Sequence, residues 1–187
     1  MAKDVIKLWT CQSKVVLDTV MNDGVYHVKR EFVAEKYQEV SKIFLTAYDW
    51  FVANAKRIVK KPEDADFPVW TWRDPKYLEH FDDSVILLLE IEIDKVILFD
   101  SGKWNKILNL SYIPKDKDDR LKFSQELEKY NISDDSTAYM SNFYPQLKSK
   151  IKRSWNRLFD EDIKISGIDQ AAIWEIRKDW IIDVIEK

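Results

Sequence analysis

The sequence predicts an α+β fold: a mixed, mainly antiparallel sheet with helices packed against it. Three observations predict it. Apolar residues alternate with period two in several short runs and recur at helical spacing in others. The two kinds of run follow one another irregularly, without a chain of clean strand–helix–strand units, so a doubly wound parallel sheet is not expected. The chain has 187 residues, 45% apolar and 34% charged, which suits one packed core under a charged surface. A single globular domain over residues 1–187 is therefore expected.

Asp4 to Thr10 reads as a first strand, because Val5, Ile6, Leu8 and Trp9 suit a pleated surface. Ser13 is a natural helix cap, and Val16, Leu17, Val20 and Met21 then recur at helical spacing. Gly24 ends that helix, since a left-handed residue is cheap only for glycine. Val25 to Val28 is a short strand candidate. Glu31 to Lys60 carries the longest helical stripe, with a break expected at Thr46 to Trp50, where poor helix formers gather.

Phe67 to Trp72 is a strand bounded by Pro68 and Pro75. Val85 to Ile93 is the clearest strand: Val85, Leu87, Leu89, Ile91 and Ile93 share one face. Val96 to Phe99 continues the sheet after a hairpin-like bend at Asp94 and Lys95. Ser101 caps a helix through Trp104 and Leu108, and Pro114 to Asp119 is a solvated charged loop. Helices follow at Leu121 to Tyr130 and from Pro145 to about Phe159, proline being favoured at a first helical position. Ala171 to Ile176 is a strand, and Trp180 to Ile185 is another strand or a short helix.

Composition removes several function classes. With 30 basic and 33 acidic side chains, the net charge of −3 gives no global pull toward nucleic acid or anionic lipid. One cysteine, Cys11, and two distant histidines, His27 and His80, supply neither a disulfide framework nor a recognisable metal pair, so no metal is expected. Only 3 glycines, all isolated, rule out a glycine-rich phosphate loop. The longest apolar run, Val85 to Leu89, is far short of the roughly 20 residues that cross a bilayer. The first ten residues lack a signal-peptide run, so no membrane partner and a cytoplasmic location are expected.

Two features can carry chemistry. The segment from Gln146 to Arg157 holds Lys148, Lys150, Lys152, Arg153 and Arg157 with almost no opposing charge, a pattern that fits a phosphate or nucleic-acid contact or a solvated helix face. Glu175 stands between Trp174 and Ile176 in an apolar run, where a carboxylate must reach solvent or find a partner. The 8 tryptophans suit either a core or an apolar partner-binding patch, which keeps a protein-interaction domain open.

Four segments carry a family resemblance. Leu8-Trp9-Thr10-Cys11-Gln12, Phe44-Leu45-Thr46-Ala47-Tyr48-Asp49-Trp50, Phe99-Asp100-Ser101-Gly102-Lys103-Trp104 with Leu108-Asn109, and Gln170-Ala171-Ala172-Ile173-Trp174-Glu175 together resemble the bacterial family called domain of unknown function 3841. The likeness spans nearly the whole chain, and that family brings no assigned activity. In layout, Ile6 to Val28 and Gln170 to Val184 are also similar to the opening and ending of ADP-ribosyltransferase-like domains. That resemblance implies NAD as cofactor or ligand. Trp9, Thr10 and Gln12 would bind its adenosine or amide, and Tyr48 or Trp50 would stack on the nicotinamide. Gln170 or Glu175 would face the ribose as the catalytic group, and the transferred group would go to an unspecified acceptor. The sequence departs from that pattern at two places: Gln170, at the expected glutamate, is neutral, and Leu8 stands where a histidine is common. The resemblance therefore implies either NAD-dependent glycosyl transfer or a ligand-binding form without it. It indicates no oligomeric state.

Overall fold

A computed structural model describes residues 4–186, apart from the side chain of Val40. The elements run β1 (Val5–Ser13), α1 (Lys14–Asp23), β2 (Val25–Tyr26), α2 (Arg30–Tyr37), α3 (Ser41–Ala55), β3 (Val69–Trp72), β4 (Ser84–Glu92) and β5 (Ile97–Asp100). They continue as α4 (Ser101–Leu108), α5 (Lys117–Glu128), α6 (Asp135–Met140), α7 (Pro145–Ser154), β6 (Asp169–Ile173), β7 (Ile176–Arg177) and β8 (Ile181–Glu186). The chain is α+β, as its patterning predicts. It forms two compact units, one of residues 4–41, 48–98 and 169–186, the other of residues 42–47 and 99–168.

The first unit is built on a sheet ordered β5-β6-β3-β1-β4-β8. The pairs β1–β3, β1–β4, β3–β6 and β4–β8 are all antiparallel. β1 and β4 stay in register from Val5 opposite Glu92 to Ser13 opposite Ser84. Alternation along these strands divides the sheet into two faces. One face carries Leu8, Val69, Leu87, Leu89 and Ile173, which form an aliphatic core with Val16 and Val20 of α1. α1 ends at Gly24, whose φ of +83° is left-handed and whose N–H reaches the Val20 carbonyl at 2.9 Å.

The other face is aromatic. Trp70 meets the rings of Tyr48 and Phe51 edge-on at 5.2 and 5.0 Å, and Tyr48 meets Phe67 at 5.3 Å. Burying Tyr48, Phe51 and Ala55 explains why α3 runs unbroken through Thr46 to Trp50, where the sequence suggested a break. Packing outweighs propensity there, and the Thr46 hydroxyl returns to the Lys42 carbonyl at 2.8 Å. The break falls earlier, at Gln38, where φ is +44°.

Other expectations are corrected at the strand ends. β5 does not fold back on β4 as a hairpin; after the turn at Ile93–Lys95 it lies at the far edge, beside β6. The run Ala171 to Ile176 is not one strand, since β6 stops at Ile173 and β7 pairs instead with β2.

The second unit is helical. Tyr112 stacks on Phe123 at 4.2 Å and Tyr139 on Trp155 at 5.2 Å. Asp100, rather than Ser101, caps α4, accepting from the Lys103 N–H at 3.1 Å. The same carboxylate accepts from the N–H groups of Ile165, Ser166 and Gly167, at 2.7 Å from the last. Buried Lys103 donates its ammonium to the carbonyls of Arg157 and Asp160 at 2.9 and 2.6 Å. Asp116 and Asp134 cap α5 and α6, so the segment expected as a loop at Pro114–Asp119 already contains the start of α5.

Burial pushes the Asp100 carboxyl up, but the N–H groups of Ser166, Gly167 and Lys103 outweigh it and hold the group below its ordinary value. A carboxylate with a depressed folded value stabilises above its unfolded value and loses that contribution as pH falls through the folded one. Asp100→Asn is therefore expected to lower stability at neutral pH by about 1–2 kcal/mol. Urea unfolding across pH 7 to 3 checks this: the gap to the unsubstituted protein should narrow below about pH 4, and a constant gap contradicts it.

Candidate functional site

The residues picked from the sequence do not gather in one place. Thr10 is 1% exposed and donates its hydroxyl to the Trp70 carbonyl at 3.0 Å; its oxygen accepts from the Gln12 amide at 2.7 Å. Both side chains stand on the aliphatic face, two residues apart on β1. Trp9 stands on the opposite face, opposite Trp72 in the pairing with β3. Tyr48 accepts from the Trp70 indole at 2.9 Å, and burial and the Tyr37 hydroxyl push its pKa well above the ordinary tyrosine value, so it serves as a neutral packing group. Trp50 is buried. Gln170 is buried in β6 opposite Trp72, and so shares the aromatic face with Trp70 rather than the face of Thr10 and Gln12. The sheet itself separates Thr10 and Gln12 from Gln170 and Tyr48.

Glu175 has a different setting. In the β2–β7 ribbon, Tyr26 lies opposite Ile176 and Val25 opposite Arg177. Tyr26 and Ile176 turn into the aliphatic core. His27 and Glu175 stand just beyond these paired residues, at the end of the ribbon. His27 Nε2 and Glu175 Oε2 are 2.9 Å apart, with side chains 16% and 19% exposed. A carboxylate oxygen accepts, so the bond is a donation from the His27 Nε2–H to Glu175. Arg177 approaches Glu175 and Asp179 at 3.4 Å each while half exposed. These contacts push the guanidinium pKa up, the bond to Glu175 contributing most.

The chemistry of this set fits parts of a nucleotide. A fixed carboxylate suits a ribose hydroxyl, and an arginine suits a phosphate. Trp9, Thr10, Gln12, Tyr48 and Trp50 do not add to it, because none of the contacts described above joins them to His27 or Glu175. His27 and Arg177 escaped the sequence reading. The one signal was the demand of Glu175 for a partner, and the partner lies 148 residues away in the chain.

Other candidates are weaker or already engaged. A shallow depression of about 340 Å³ is lined by Lys14, His80, Phe81, Asp82, Asp83 and Ser84, whose charges oppose one another. Among the described residues, no three His, Cys, Asp or Glu side chains converge as metal ligands, and no helix is long and apolar enough to cross a membrane. Of the five cations near the carboxyl end of the helical unit, Lys150 is paired with Glu126. Arg157 is bound to Asp119 at 2.8 Å and to the Ile113 carbonyl.

A family model described as Domain of unknown function (DUF3841) matches residues 7–182. No curated protein and no solved structure matches the chain.

Thr10→Val, which removes a buried donor and the acceptor of Gln12, is expected to cost roughly 1–3 kcal/mol. Urea unfolding reads the loss; an unchanged midpoint would show that the Thr10 hydroxyl does not hold β1 to β3.

Proposed function

We propose that this chain, which belongs to the DUF3841 family, binds the ribose–phosphate part of a nucleotide at the end of its β2–β7 ribbon. NAD is the nucleotide proposed. The observation that carries the reading is the Glu175 carboxylate, held by His27 at 2.9 Å and left partly open to solvent.

The residues divide the work by their chemistry. Glu175 accepts a hydrogen bond from a ribose hydroxyl and places negative charge beside the sugar. His27 fixes the direction of that carboxylate through its Nε2–H. Arg177, half exposed and loosely held at 3.4 Å, can swing toward a phosphate oxygen. NAD, when bound, supplies a glycosidic bond whose cleavage builds positive charge on the ribose, and a carboxylate nearby favours that charge. Glu175, rather than neutral Gln170, is the group that can meet this demand. The same three residues serve binding alone if no transfer follows.

The reading is tested by thermal unfolding of the full chain with NAD, ADP-ribose or nicotinamide, together with an assay for released nicotinamide. NAD and ADP-ribose should raise the melting temperature, as any ligand of the folded state does. Nicotinamide alone should not. Glu175→Gln keeps a hydrogen-bond acceptor for His27 but removes the charge, and it should abolish both the NAD shift and any nicotinamide release. Failure of millimolar NAD to raise the melting temperature, or a shift that survives Glu175→Gln, would remove the proposal.

A further inference from the structure

The helical unit carries a second surface that the nucleotide site does not use. Between Tyr139 and Arg157 the sequence holds five cations and no acid. The structure sorts them. Lys150 and Arg157 are consumed by Glu126 and Asp119, while Lys148, Lys152 and Arg153 have no ion pair among the described residues. α7 buries Leu147, Ile151 and Ser154, which fixes which side faces inward. Lys148 and Lys152 stand four residues apart on α7, so they form one ridge with a rise of about 6 Å between them, and Tyr144 is the residue that precedes the helix.

Aromatic rings are interleaved with this ridge. The Lys148 ammonium lies 4.9 Å from the centre of the Tyr139 ring, and Tyr130 meets Tyr144 at 5.1 Å. Phe143, next to Tyr144, is 87% exposed, and Met140 is 62% exposed. A phenylalanine that open has no packing role, and exposed apolar groups clustered beside free cations mark a binding surface.

We propose that this ridge binds single-stranded nucleic acid. The chemistry selects the partner in two steps. Three free cations on a helix without acids call for a polyanion. Open rings beside them call for flat faces to stack on, which an unpaired strand offers and a duplex hides between its base pairs. Lys148, Lys152 and Arg153 contact phosphates, and Phe143 and Tyr144 stack on bases. Recognition of this kind tolerates many sequences, because every base has a face to stack.

The test is fluorescence anisotropy of the full chain with a labelled mixed-sequence single strand of about 12 nucleotides. The same sequence as a duplex and a polyglutamate peptide serve as competitors. The single strand should bind at low salt, and the logarithm of affinity should fall against the logarithm of salt with a slope near −2, about 0.7 for each of three cations. Lys148→Glu with Lys152→Glu should weaken binding at least about tenfold. Phe143→Ser, at a position too open to disturb the fold, should weaken it about fivefold or more without changing the salt slope. Absence of binding at low salt would overturn the proposal. So would equal competition by polyglutamate, which would indicate an acidic protein partner, or equal competition by the duplex. Affinity unchanged in both variants would overturn it as well.

Discussion

The alternation of side chains along β1 is the constraint on which the rest of the first unit depends. Nine consecutive residues, Val5 to Ser13, are locked in register with β4. A slip by one residue would turn Leu8 out of the aliphatic core and Trp9 into it. The buried Thr10 hydroxyl adds a second lock, to the backbone of β3 at Trp70. Each face then acquires its own cover: α1 with valines on one, and the Tyr48 half of α3 with aromatic rings on the other. The same alternation denies a shared cavity to Thr10 and Tyr48, because they end on opposite sides of a packed sheet.

Polar chemistry is consequently displaced to places the sheet does not seal. The β2–β7 ribbon is only two residues long on each strand, and beside it the His27 and Glu175 side chains are left 16% and 19% exposed. A histidine and a glutamate opposite one another there can stay partly wet and still be held in one geometry. In the helical unit the opposite rule applies. Asp100, Lys103 and Asp135 are buried because backbone or charged partners meet them, Asp135 by Arg120 at 2.7 Å. Such groups build the fold and are not free to turn toward a ligand.

Much of the fold was legible locally. The alternation of Val85 to Ile91 identified β4, Gly24 marked the end of α1, and Pro145 marked the start of α7. Strand order was not legible, because the neighbour of β5 is chosen by pairing across the whole chain, and Ile97 to Asp100 carries no sign that it lies beside β6 rather than β4. Helix α6 was missed because its six residues are too few for a periodic stripe, although Asp134 three residues before Thr137 is a capping signal. At the site, the sequence singled out Glu175 but not His27, since antiparallel pairing between two short strands leaves no periodic trace. The basic segment was visible as a cluster. Which of its members are free depended on Glu126 and Asp119, on another helix.

The central claim is that the functional carboxylate works from the end of the β2–β7 ribbon and not from between β1 and β6. The most direct measurement is a titration of isotopically labelled full-length protein with NAD, followed by amide chemical shifts. The account predicts shifts concentrated at Val25 to His27 and Trp174 to Arg177, with Thr10 and Gln12 unmoved. Shifts centred on Thr10, Gln12 and Gln170, or none at any NAD concentration, would contradict it.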